Sequence, residues 1–231
     1  MSRSSKYFLT IGVIVAIGTF WLLDDRSQTP VPAATKPETF ENSFEKDERD
    51  IVKYSAEIKG FIERARHSSH RQNLVEFMDS VDKTHATLHG ACEQSHNFSS
   101  EYCFSHRLVA GSVWQVSLTL DCVDDQSGCY LTRDTEGFLR RLDEVLPQSR
   151  RELQSYVSDA TAIHQFGALP SDTERFLDSA VALKERAVSE LQADDAAAAY
   201  IDVESSDVLH GLVMSRLFKY ETTTFNKTRP R

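Results

Sequence analysis

The chain has 231 residues, of which 40% are hydrophobic and 26% charged, so it is long enough to bury one sizeable core. Its 35 acidic side chains outnumber the 26 basic ones, and the net charge is −9. Because nucleic-acid-binding domains carry basic patches, this balance argues against a nucleic-acid partner. The sequence contains no nucleophile elbow, phosphate-binding loop or dinucleotide fingerprint, so it favours a non-enzymatic role.

The N-terminal segment predicts a membrane anchor. Residues 1–6 are basic through Arg3 and Lys6, and residues 7–23 form an uncharged apolar run near the short limit for spanning a bilayer. By the positive-inside rule, we expect residues 1–6 in the cytoplasm and the C-terminal domain across the inner (cell) membrane, in the periplasm. A cleaved signal peptide is the alternative, but Asp24 follows the run where a cleavage site has small residues.

A predicted tether and a predicted flexible tail flank a predicted exported domain, residues 39–220. Residues 24–38 contain three prolines and predict a semi-extended tether. Residues 221–231 are Thr-rich and basic and predict a flexible tail. Glycosylation sequons at Asn97 and Asn226 leave open the secretory-pathway membrane of a eukaryote as an alternative location.

Helical periodicity dominates the predicted exported domain, and strand signals are nearly absent. The heptad spacing of Phe44, Ile51 and Ile58 predicts a first helix. Further helices are predicted at residues 71–93, 101–123, 132–164 with a break near Pro147, 171–191 and 205–220. The sequence therefore predicts an all-α fold: a single N-terminal transmembrane helix followed by a disulfide-stapled antiparallel helical bundle.

Four cysteines, all in the predicted exported part, predict two disulfides, as expected in an oxidising compartment. Cys103 and Cys122 lie near opposite ends of the third predicted helix, roughly 28 Å apart at about 1.5 Å per residue, which is too far for a disulfide. The spacing therefore predicts that Cys92 pairs with Cys103 and Cys122 with Cys129. Each bond would staple one turn flanking the third helix.

Six of the eight histidines fall within forty residues, on and around the second and third predicted helices. His85 and His89 are four residues apart, which places both rings on one helical face and suits Zn, Cu, Ni or Co. In an antiparallel hairpin His106 would lie opposite His89, and Glu93 or His96 would be a possible fourth ligand. The alternatives are structural or surface histidines and a pH-responsive cluster.

These features predict an accessory or adaptor protein without a cofactor, anchored through residues 7–23, that binds another envelope or membrane protein. Trp114, which lies off the main apolar stripe of the third helix, is a candidate partner contact or packs against another helix. The alternative is a ligand- or metal-sensing domain that uses His85, His89 and His106. Because residues 1–6 are too few for a cytoplasmic signalling domain, such a sensor would signal through a membrane partner. The oligomeric state is left open.

Overall fold

The computed structural model describes residues 39–66, 68–95, 100–120 and 131–227. These residues belong to one compact unit and confirm the predicted all-α class. Their seven helices are α1 (Phe40–Arg64), α2 (Arg71–Ser95), α3 (Glu101–Leu118), α4 (Leu131–Ser158), α5 (Ala160–Phe166), α6 (Thr173–Gln192) and α7 (Ala196–Lys227).

The predicted anchor, residues 7–23, and the predicted tether, residues 24–38, lie outside the described residues. Among the helices of the described part of the chain, none is long and apolar enough to cross a membrane. The transmembrane part of the expected fold therefore stays a prediction.

α7 is the central helix of the bundle, and α2, α3, α4 and α6 all pack against it. It is buried almost continuously from Ala197 to Val213. A helix that is buried on all sides has no one-sided apolar periodicity. This explains why the sequence pattern predicts helix only for residues 205–220, whereas α7 begins at Ala196 and extends into the predicted flexible tail as far as Lys227.

The two hydrophobic clusters lie on different sides of α7. The first is formed mainly by α4, α6 and α7, and the second by α1, α2 and α3 with two residues of α7. The largest fully buried side chains include Ile58, Leu74, Phe77, Leu88, Leu142, Leu177, Ile201, Leu212 and Leu217. α1 packs on α2 and α3 and completes the second cluster.

The helix predicted over residues 132–164 is interrupted at Asp159 and not at Pro147. α4 continues through Pro147 as far as Ser158, and the carboxylate of Asp159 then caps the first turn of α5 by accepting two backbone N–H groups. Proline removes one backbone donor from a helix. Leu146 and Leu153 are buried on either side of Pro147. Their packing stabilises α4 at the point where the proline cannot donate a backbone hydrogen bond.

The α2–α3 hairpin is closed by the predicted disulfide between Cys92 and Cys103, whose Cα atoms are 4.6 Å apart. Ser100 caps α3, because its Oγ accepts the backbone N–H of Cys103 at 3.2 Å. Cys122 and Cys129 lie outside the described residues, so their pairing stays a prediction.

Candidate metal centre

One carboxylate and three imidazoles meet where α1, α2 and α3 come together. Glu48 Oε1 lies 2.8 Å from His85 Nε2, 2.8 Å from His89 Nδ1 and 2.5 Å from His106 Nε2. One potential ligand atom of each residue lies within 4.8 Å of the others. We call Glu48, His85, His89 and His106 the histidine–glutamate cluster.

The three imidazoles are positioned by helix periodicity and by the disulfide. His85 and His89 are one turn apart on α2, and their ring centroids are 5.4 Å apart. The Cys92–Cys103 disulfide sets the register of α2 against α3 one turn further along the hairpin. In this register the ring centroid of His106 is 5.5 Å from that of His85 and 6.3 Å from that of His89.

The fourth group of the cluster comes from α1, a helix that the sequence pattern does not connect with the histidines. Glu48 belongs to α1, between Phe44 and Ile51 on the face that packs against the hairpin. Of the two expected fourth ligands, Glu93 is exposed on α2 and is not part of the cluster, and His96 lies outside the described residues. The sequence does contain one sign of this role. Glu48 lies in line with the apolar stripe of α1, where a charged side chain is rarely buried unless it is paired with another group.

The cluster holds its carboxylate in the ionised form. Burial raises the pKa of Glu48, but hydrogen bonds from the three histidines outweigh it and bring the pKa down to about 2. Burial lowers the pKa of His106, and the neighbouring Glu48 only partly opposes this effect. An ionised carboxylate and a neutral imidazole are the forms in which these two side chains bind metal ions.

The cluster is closed on one side and open on the other. The side chain of His106 is 1% exposed and its ring lies 5.1 Å from that of Phe44, centroid to centroid. The side chain of His89 is 42% exposed, so an ion has a path of entry from solvent. Three nitrogens and one oxygen match, in number and type, the four protein ligands of a structural zinc site.

The proton of the neutral His106 ring is placed by its surroundings. His106 Nδ1 is buried and has no hydrogen-bonding partner among the described residues. Its Nε2 faces Glu48 Oε1 at 2.5 Å. The neutral ring therefore carries its proton on Nε2 and donates it to the carboxylate.

Two further histidines join distant helices. His70 Nε2 lies 2.8 Å from Asp195 Oδ1 and links the start of α2 to the residue before α7. His210 Nε2 lies 2.8 Å from Ser149 Oγ, between α7 and α4, and burial lowers the pKa of His210. These contacts are structural, and the structure does not bring either residue into the cluster.

Trp114 is 39% exposed on α3. Phe104 and Leu118 lie on the same helical face and are 62% and 60% exposed. The helix thus presents large apolar side chains to solvent. Contact between Trp114 and a partner stays a prediction.

Buried carboxylates of α7 form a polar network that the sequence pattern did not reveal. Asp202 accepts a hydrogen bond from Asn73 at 3.0 Å and pairs with Arg186, which links α7 to α2 and α6. Two residues further along α7, burial and the nearby charge of Asp207 raise the pKa of Glu204 to about 7.

No family model, curated protein or solved structure matches this chain. The geometry of the site is therefore the basis for assigning a function.

Proposed function

We propose that this chain is a membrane-anchored, exported helical domain that binds a divalent transition-metal ion, with zinc preferred, and signals the occupancy of its site through a membrane partner. The observation that supports the proposal is the approach of Glu48 Oε1 to three imidazole nitrogens at 2.5–2.8 Å.

The donor set favours zinc. Zn²⁺ is bound tetrahedrally by imidazole nitrogen and carboxylate oxygen at about 2.0–2.2 Å. The four ligand atoms already lie within 4.8 Å of one another, so a modest rearrangement, in which Glu48 Oε1 moves away from the three nitrogens, reaches that geometry. Copper, nickel and cobalt accept the same ligands and are the competing ions. A closed four-ligand site supports a binding or sensing function in preference to metal-assisted hydrolysis.

The buried side of the cluster favours reversible binding. An ion at His106 Nε2 moves the proton of the ring to Nδ1, which has no acceptor among the described residues. A buried donor without a partner costs roughly 1–3 kcal/mol. Metal affinity is reduced by this amount, as suits a site that fills and empties with the surrounding metal concentration.

The N-terminal sequence and the disulfide support the proposed location of the domain and the proposed route of its signal. The apolar run at residues 7–23 supports an anchor, and the Cys92–Cys103 disulfide is typical of an oxidising compartment. In that topology the metal site faces the periplasm. In this proposal, the partner that receives the signal is another envelope or membrane protein.

Zinc titration of the full chain in detergent micelles tests the proposal. After treatment with EDTA, zinc is expected to bind one ion per chain by calorimetry. At about a hundredfold excess over Kd it should raise the Tm by roughly 5–10 °C. His89→Ala should weaken binding at least tenfold, whereas His164→Ala, an exposed histidine on α5, serves as the matched control and should not. Absence of binding with zinc, copper, nickel and cobalt would refute the proposal.

A second candidate function is an adaptor that holds a helical surface near the membrane for another envelope protein. The exposed apolar face of α3, with Phe104, Trp114 and Leu118, supports it, because such patches often mark interaction sites. An adaptor does not need a metal ion. The zinc titration therefore separates the two functions.

A further inference from the structure

We infer that a metal ion in the histidine–glutamate cluster fastens the first half of α1, residues 40–50, to the α2–α3 hairpin. Occupancy of the site would then control the segment through which the chain enters the helical domain. This inference rests on the proposed metal-binding function and names the element that the ion regulates.

The two halves of α1 are attached to the bundle by different kinds of contact. In residues 40–50 the buried side chains are the polar Ser43 and Asp47, whereas the second half buries Ile51 and Ile58 in the second hydrophobic cluster. Apolar burial stabilises the second half whether or not an ion is bound. The attachment of the first half depends more strongly on polar groups.

Arg107 of α3 makes one of these polar attachments. Its guanidinium lies 3.3 Å from Asp47 Oδ2 and 2.5 Å from Ser43 Oγ. The side chain of Arg107 is 52% exposed, so solvent screens its ion pair with Asp47. Phe44 adds a ring contact with His106 at 5.1 Å between centroids.

Glu48 provides the more protected attachment, since its side chain is 22% exposed and its oxygen meets three nitrogens of the hairpin. The hairpin itself is held in place independently of α1. The disulfide closes one end of it, and Ser105 Oγ donates a hydrogen bond to the backbone oxygen of Gly211 in α7 at 2.9 Å. A change at the cluster is therefore transmitted to α1 more readily than to the hairpin.

Binding of an ion changes the nature of the attachment. In the metal-free cluster, Glu48 Oε1 occupies the point where the three N–H groups converge. An ion bonded to the three nitrogens takes up this space, so the carboxylate moves back by roughly 1–2 Å and becomes the fourth ligand. Separation of α1 from the hairpin then requires a metal–oxygen bond to break. The opening of the first half of α1 should become rarer.

Hydrogen exchange followed by mass spectrometry on the full chain in detergent micelles tests the inference. With zinc in place of EDTA, the amides of residues 43–51 should exchange at least tenfold more slowly, while the amides of α6 that exchange through local opening remain unchanged. At a zinc concentration that calorimetry shows to saturate it, Glu48→Gln keeps the three imidazole ligands but should lose the slowing in α1. Glu45→Gln makes the same substitution at an exposed position of α1 and should behave like the unmodified chain.

Calorimetry on the same samples distinguishes failure of the inference from failure of the proposed function. If zinc binds but exchange of residues 43–51 is unchanged, or slows equally in the Glu48→Gln variant, the inference is overturned and metal binding remains. If calorimetry detects no zinc binding to the unmodified chain, both are overturned. Slowing that is confined to α1 and depends on Glu48 supports the inference.

Discussion

Substitution of Glu48 by Gln should destabilise the metal-free protein, and the loss should depend on pH. In the folded chain, one carboxylate oxygen of Glu48 accepts hydrogen bonds from His85, His89 and His106. Gln keeps an acceptor oxygen of the same reach but carries no charge. The substitution therefore tests the electrostatic part of the interaction with little change in volume.

The magnitude follows from the pKa of Glu48, which is about 2 in the folded chain and 4.5 for an unperturbed carboxyl. This difference corresponds to about 3 kcal/mol of stability at neutral pH. Because folding lowers the pKa, the contribution is present above pH 4.5 and is lost as the pH falls towards 2. At pH 3 less than half of it, about 1 kcal/mol, should remain.

Urea denaturation followed by circular dichroism, with EDTA present, provides the measurement. The Glu48→Gln variant should be less stable than the unmodified chain by about 3 kcal/mol at pH 7 and by about 1 kcal/mol at pH 3. Glu45→Gln, at an exposed position of the same helix, is the control and should change stability little. Equal stability of Glu48→Gln and the unmodified chain at pH 7, or a difference that does not shrink at pH 3, would refute the reasoning.

Two further predictions concern the rest of the fold. Replacing both Cys92 and Cys103 by Ala opens a loop with a sequence separation of 11 and should lower the free energy of unfolding by about 3 kcal/mol; a loss below about 1 kcal/mol in urea denaturation would contradict the loop-entropy argument. Burial and the charge of Asp207 raise the pKa of Glu204 to about 7, so ionisation of Glu204 should destabilise the fold as the pH rises through 7. Glu204→Gln should therefore increase stability by about 3 kcal/mol at pH 8 but by only about 1 kcal/mol at pH 5, and an equal effect at both pH values would contradict the assignment.

The helical class and three of the four residues of the candidate site depend on short-range regularities that can be read directly from the sequence. The spacing of His85 and His89 places both rings on one face of any α-helix. The length of the third helix excludes a Cys103–Cys122 bond, which leaves Cys103 to pair across the turn with Cys92. This register brings His106 to the same level of the hairpin, as the structure confirms.

Other features required the packed structure because they depend on which helical faces meet. Periodicity indicates an apolar face on α1, but it does not specify that this face brings Glu48 to the three histidines. The central position of α7 removes the one-sided pattern by which its limits could have been recognised. Helix periodicity and the short span of a disulfide relate residues that are close in the sequence. The contacts of Glu48 and of α7 join segments that are far apart in the chain, and only the packing of the helices brings them together.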